Sequence, residues 1–324
     1  MVSKINLFSL TLVQQLLSWL KSLAQPAKSH RQLFFYFSKA LGAIFLIAFL
    51  SLAVQFKGLY TSQGILPIET NLSYISENIN WIKLPYFFLN ASDSFLWAML
   101  FLAIIASLSL ILGVLPLIST AICWMVYVSF VNLGSVFMSF QWDVLLLEIA
   151  FISTICMPTC LCWKKTNGYC PPKLFILLAQ LCCFRLLFFS GLVKLLSADP
   201  LWKNLSALDV HYLTQPLPHM LSWFANLLPP LLDKLSVILM FFIELIVPFF
   251  LFAPYKIRRV AVAAIVFLMI LIMLTGNYCF FNLLTILIAC LSLDDSVLKS
   301  SNNANKQTFH VNSVKLRVGL LSFI

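Results

Sequence analysis

Long apolar runs separated by short polar breaks dominate the chain. Runs near Leu33–Val54, Phe95–Leu112, Pro116–Met138, Val144–Trp163, Leu174–Leu196, Leu235–Phe252, Val260–Thr275 and Tyr278–Leu293 approach the ~20 helical residues that cross a hydrocarbon core. Tight connections fall at Gly113–Leu115, Ser139–Asp143 and Gly276–Asn277. Continuous apolarity, without strict alternation, argues against a membrane barrel. The pattern therefore predicts an all-α, polytopic transmembrane bundle of about eight spans. Two longer polar stretches, Gln55–Ser94 and Ser197–Lys234, fall on one side of such a bundle.

Composition agrees: 61% of residues are hydrophobic and 10% charged, against ~25% charged in a soluble domain. The formal net charge of +10 acquires its meaning from its distribution. Lys4, Lys21, Lys28, Arg31 and Lys39 precede or open the first span. Lys164, Lys165 and Lys173 follow the fourth, and Lys256, Arg258 and Arg259 the sixth. Lys299, Lys306, Lys315 and Arg317 follow the eighth. All of these share one side, whereas Lys57, Lys83, Lys194, Lys203 and Lys234 are scattered over the other and Arg185 lies within a span. The positive-inside rule places the rich side, and both termini, in the cytosol. The basic charge thus sets topology, and a nucleic-acid partner is not expected; the lipid bilayer is. The expected organisation is a cytosolic interfacial segment over 1–32, a transmembrane domain over 33–295 with outward loops 55–94 and 197–234, and a basic cytosolic tail over 296–324.

The apolar run Ile5–Leu20 followed by Ser22-Leu23-Ala24 resembles a signal peptide with its cleavage site. Cleavage would export Lys28 and Arg31, so an amphipathic interfacial helix fits the charge pattern better. The membrane is the inner membrane of a bacterium or that of the endoplasmic reticulum. The sequons at Asn71, Asn90 and Asn204 all lie outward, where glycosylation and chance placement both remain open.

No metal or cofactor is expected. The nine cysteines include Cys156, Cys160, Cys162 and Cys170 near the cytosolic side, without paired metal-ligand spacing; core filling is the simpler reading. The four histidines are scattered, and no nucleotide loop or serine triad is visible. Intramembrane charge is more informative, because an ionised group in hydrocarbon is costly unless paired or wet. At 1.5 Å rise per residue, Glu148 lies about 8 Å, Glu244 about 14 Å and Arg185 about 17 Å inside the outer ends of their spans. Matching depth predicts an Arg185–Glu244 pair, with Glu148 or Lys194 extending the network. Arg185 and Lys194 occupy nearly opposite faces of one helix. A packing network and an outward-facing polar cavity are both open.

The Ser197–Lys234 stretch supplies what such a cavity would need: Trp202, His211, Tyr212 and Trp223 for aromatic contact, and Asp199, Asp209 and Gln215 for hydrogen bonds. Pro200, Pro216, Pro218, Pro229 and Pro230 stiffen it, lowering the ordering cost of presenting a surface. Asp209 and His211 are spaced to form an acid–base couple, although no nucleophile accompanies them. Catalysis, partner or lipid contact, and anchoring at the headgroup level all remain open.

At these residues the chain resembles the lipase maturation factors. The ordered blocks are GLYTSQGILP (58–67), SFQWDVLLLE (139–148, carrying Trp142, Asp143 and Glu148), Phe184-Arg185 with GLVK (191–194), and LWKNLSALDVHYLTQPLP (201–218). IELIVPFFLF (243–252) and TGNYCFFNLLT (275–285, carrying Asn277) complete them. The resemblance implies a non-enzymatic, chaperone-like protein that assists folding and assembly of secreted lipase-type clients. It also implies functional weight for Trp142, Asp143, Glu148, Arg185, Lys194, Trp202, Asp209, His211, Tyr212, Gln215, Glu244 and Asn277. Leu213 stands where the family usually has Glu, Leu181 where an Arg is common, and Phe189 where a small residue is usual. The family's C-terminal domain does not follow, and VGLLSFI resembles the start of a further span, so a membrane core is expected. The alternative is a membrane-embedded enzyme or a lipid- or quinone-binding protein, since the bundle distantly resembles those of vitamin K-dependent carboxylases and DoxX-type proteins.

Overall fold

A computed structural model describes residues 18, 21–78, 85–88, 90–165, 167–215, 217 and 219–298. Most of the expected interfacial segment, Lys83, Pro216, Pro218 and the basic tail from Lys299 onward lie outside the described residues.

Each apolar run forms a helix. These are α1 (Arg31–Leu59), α3 (Asp93–Leu112), α4 (Pro116–Leu133), α5 (Gln141–Cys156), α6 (Lys173–Leu196), α10 (Pro230–Leu245), α11 (Tyr255–Thr275) and α12 (Phe281–Cys290). The polar stretches add α2 (Ile68–Asn78), α7 (Pro200–Lys203), α8 (Ala207–Thr214) and α9 (Met220–Ala225). Among the described residues, six helices are long and apolar enough to cross a membrane. With 16 and 10 residues respectively, α5 and α12 are shorter.

Proline accounts for the earlier ends. The fourth run was expected to continue to Trp163, but Met157 is extended (ψ 145°) before Pro158, because a proline disfavours helix in the residue before it. The following segment pairs back onto the α3–α4 turn. Leu115 N–H donates to the Leu161 carbonyl at 2.8 Å, and Trp163 N–H to the Gly113 carbonyl at 2.7 Å. Gly113 closes α3 at φ 79°, a left-handed conformation that favours glycine, and an added Cβ would sit 2.7 Å from the Trp163 carbonyl oxygen. Likewise α10 stops at Leu245 and passes into a 3₁₀ segment, Val247–Phe252, where Pro248 lacks the N–H that an α-helix would use.

Helix α1 is the centre of the packing. Phe34, Phe37, Leu41, Phe45, Phe49, Leu52 and Phe56 recur every three or four residues and are all buried, forming one helical face. That face packs on α3, with α4 and α12 also against α1. Edge-on aromatic contacts bind it further: Phe49 with Tyr127 at 5.6 Å and Phe56 with Phe130 at 5.9 Å, a favoured arrangement of ring quadrupoles. The exterior is apolar as well, with Val54 87%, Ile105 62% and Val260 71% exposed. Such an exterior is stable in lipid, where no hydrophobic penalty attaches to it. The chain is an integral, multi-pass membrane protein.

Polar contacts tie elements together at both ends of the bundle. At the end holding the α1 N-terminus, Asp295 accepts the Gln32 and Leu33 backbone N–H groups, and Lys173 N–H donates to the Gln25 carbonyl. At the opposite end, Tyr60 donates to the Gly134 carbonyl at 3.2 Å and Asn71 to the Leu133 carbonyl at 2.9 Å. The Ser197–Lys234 stretch forms a cap of short helices at this second end, where α8 packs on α10 and α9 on α11.

Candidate functional site

Helix α6 carries two cations in its C-terminal half, and they find different partners. Lys194 Nζ lies 2.6 Å from Glu244 Oε1 of α10. Arg185 pairs with Glu148 of α5. The expected Arg185–Glu244 pair is therefore not formed. Depth counted along each helix assumed that all outer ends share one plane. However, α10 begins at Pro230 and its first turns rise into the cap against α8. Glu244 consequently lies level with Gly191, whose added Cβ would be 3.0 Å from the Glu244 Cβ. Gly191 permits this approach of α6 and α10, and any side chain there would push them apart.

The two pairs differ in setting. Glu244 is buried with 5% side-chain exposure and Lys194 retains 22%; the Arg185 and Glu148 side chains keep 54% and 28%. A buried carboxylate requires its partner, because removing one member strands the other charge. Trp202 covers the first pair, its ring 5.7 Å from Lys194 Nζ and edge-on to Phe241 at 6.0 Å. Asp199 caps α7 by accepting Leu201 N–H at 2.9 Å, with Pro200 at the first helical position, where its missing N–H costs nothing. That local turn aims Trp202 inward.

The histidine and glutamine of the cap reach the α11–α12 connection. Tyr278 Oη and His211 Nε2 are 3.0 Å apart with rings nearly parallel. Gln215 donates to the Thr275 carbonyl at 2.9 Å. Asn277 acts within its own loop, accepting Cys279 N–H at 3.4 Å. The acid–base couple considered for Asp209 and His211 is not assembled, since His211 turns to Tyr278 while Asp209 sits beside Asp233 of α10. The two side chains leave α8 in different directions. Tyr212 is half-buried, also near Asp233. Burial pulls the His211 imidazole below its usual range and pushes the Tyr212 hydroxyl up, with Asp233 adding to the latter.

Asp143 anchors a neighbouring part of the same end. It is 2% exposed, accepts Tyr127 Oη at 2.5 Å and accepts Phe140 N–H at 3.2 Å, capping the start of α5. Trp142 stacks on Phe140 at 4.5 Å and is half-buried. Asp143 and Trp142 thus order the α4–α5 turn, separately from the cap. Sequence reasoning missed Tyr127, Tyr278 and Asp233. The available signal was a tyrosine or aspartate inside an apolar helix or tight turn, where a buried polar tip needs a partner.

The three departures from the expected family pattern all lie on exposed faces: Leu181 is 45%, Phe189 52% and Leu213 66% exposed. None enters the core. Among the described residues, no three His, Cys, Asp or Glu side chains converge as a metal cage would require. The chemistry on offer is ion pairing, aromatic contact and hydrogen bonding.

Comparison with known proteins places this arrangement. The lipase maturation factor transmembrane domain matches residues 31–300. Lipase maturation factor 2 of Xenopus laevis is 37% identical over 273 residues, which cover 79% of this chain and 38% of that protein. The Homo sapiens lipase maturation factor 2 is 38% identical over 291 residues, covering 83% and 40%. Lipase maturation factor 1 of Bos taurus is 29% identical over 274 residues, covering 80% and 48%. The chain therefore spans between about two-fifths and one-half of these relatives. No solved structure matches it. With the match running from the first residue of α1 past the end of α12, the chain belongs to the lipase maturation factor family.

Proposed function

We propose that this chain forms the membrane-embedded core of a maturation factor whose outward cap grips a secreted, lipase-type client during folding or assembly. The membrane in this reading is that of the endoplasmic reticulum, with the basic end cytosolic and the cap in the lumen. One observation carries the reading: a set of exposed apolar side chains stands on a cap whose footing is polar and fixed. On α8 and α9, and at the residue that opens the second of them, Leu213 is 66%, Met220 79%, Trp223 68% and Phe224 58% exposed. Beneath them, Gln215–Thr275 and His211–Tyr278 tie α8 to the α11–α12 connection. Lys194–Glu244 joins α6 to α10 under Trp202. An ordered apolar surface binds an incompletely folded client at lower entropic cost than a loose one.

The division of labour follows from burial. Trp202 supports the cap from below; Trp223 presents. In cells lacking their own factor and secreting a dimeric lipase, Trp223→Ala combined with Leu213→Ser is expected to reduce secreted active lipase at unchanged levels of both proteins. An exposed aromatic anchor is worth about 2 kcal/mol, roughly thirtyfold in affinity. Full secretion by this well-expressed variant would refute the cap as the client-binding surface.

A further inference from the structure

At the basic end, residues 25–30, which lead into α1, and the N-terminal turns of α6 and α11 line an open crevice of about 530 Å³. Its wall is divided. Lys28, His30, Lys173 and Arg258 supply the polar rim, and Ile176 and Leu177, one turn deeper in α6, supply an apolar floor. Helices α6 and α11 have no acidic residue in their first turns and no side-chain cap. Each instead places a cation there, Lys173 and Arg258. A cation at a helix N-terminus opposes the macrodipole, which favours an anion at that position.

The nearby carboxylates, Asp294 and Asp295, lie close enough to act on His30 and hold contacts of their own. Asp295 accepts the Gln32 and Leu33 N–H groups, and Asp294 accepts from Ser296 at 2.5 Å. Neither lines the crevice. Arg258 lines the crevice, and its Nε is buried with no hydrogen-bond partner among the described residues.

We propose that this crevice binds the phosphate headgroup of an anionic phospholipid, with Lys28, Lys173 and Arg258 on the phosphate and an acyl chain leaving along Ile176 and Leu177. The shared chemistry is a phosphate oxyanion. The membrane lipid is the source because the floor is apolar and the site opens where three spans begin, beside exposed Ile257 and Val260. Basic pockets between transmembrane helices on the cytosolic side recur as sites for such headgroups.

Native mass spectrometry of the full chain in mild detergent, titrated with phosphatidylserine or phosphatidylcholine, tests this. Phosphatidylserine is expected to bind as a preferred single adduct. Because a cation near the surface contributes about fivefold, the Lys28→Gln/Lys173→Gln variant, altered only at exposed side chains, is expected to bind it roughly twenty-fivefold more weakly. Lys256→Gln/Arg259→Gln, at the same end but outside the crevice lining, serves as the control and is expected to bind as the unaltered chain does. Equal loss in both variants would show diffuse surface attraction and overturn the proposal. Equal binding of the two lipids, or complete displacement of phosphatidylserine by millimolar inorganic phosphate, would overturn it too. If the double variant fails to fold, Arg258→Gln alone is expected to weaken phosphatidylserine binding about fivefold, and no change there would be equally decisive.

Discussion

Glu244 shows how one side chain joins sequence, packing and function. Gly191 lets α10 approach α6, Lys194 meets the carboxylate so exposed, and Trp202 closes over both. Glu244→Ala should leave Lys194 without its counter-charge and lower stability by about 3 kcal/mol, the lower end for a buried pair, since Lys194 can extend toward water. Replacing both, as Lys194→Met/Glu244→Leu, should return stability to within about 1 kcal/mol of the original. Unfolding in detergent measures both; a double variant as unstable as the single one would show that the pairing is not what stabilises this contact. The sequence made the charges legible, because ionised residues in apolar helices demand partners. Their partners were not legible, because depth along a helix says nothing about how far that helix projects beyond its neighbours. Arg185 met Glu148 instead of Glu244 for that reason.

Among the elements, α8 is expected to respond to pH. Its His211 ring stacks on Tyr278, and burial lowers the imidazole below its usual 6.5. The fold thus favours the neutral ring. Its contribution is complete above about pH 6.5 and is lost as pH falls from there through the lower folded value. Hydrogen exchange across Ala207–Thr214, corrected for intrinsic rates, should accelerate between pH 7.5 and 5.5. In His211→Gln that acceleration should vanish; persistence would assign it to another group. The short helices α7 to α9 were not foreseen as helices, since proline and polar residues read as loop. In the structure Trp202 lies over Lys194 and against Phe241, His211 and Gln215 reach the α11–α12 connection, and Tyr212 lies near Asp233. The end of α5 was placed too late because proline was not weighed against continuous apolarity, whereas the sixth run does reach Phe252, its last residues as 3₁₀ turns.

For the molecule as a whole, apolar runs alone specify an all-helical membrane protein, since lipid permits few other ways to satisfy the backbone. The segregation of basic residues predicts a direction across the membrane. What the runs do not reveal is that one end would be capped, with exposed Trp223 and Leu213 standing above polar ties to α11 and α12. That asymmetry underlies the proposed role: a basic end and a presenting end on one helical bundle. Site-specific photocrosslinking in cells secreting a dimeric lipase tests it most directly. A photoreactive residue at position 223 should crosslink to the lipase before its assembly, and one at position 202, beneath the cap, should not. Crosslinks from position 223 to lipid alone, or equal lipase capture from position 260 at the opposite end, would contradict the proposed function.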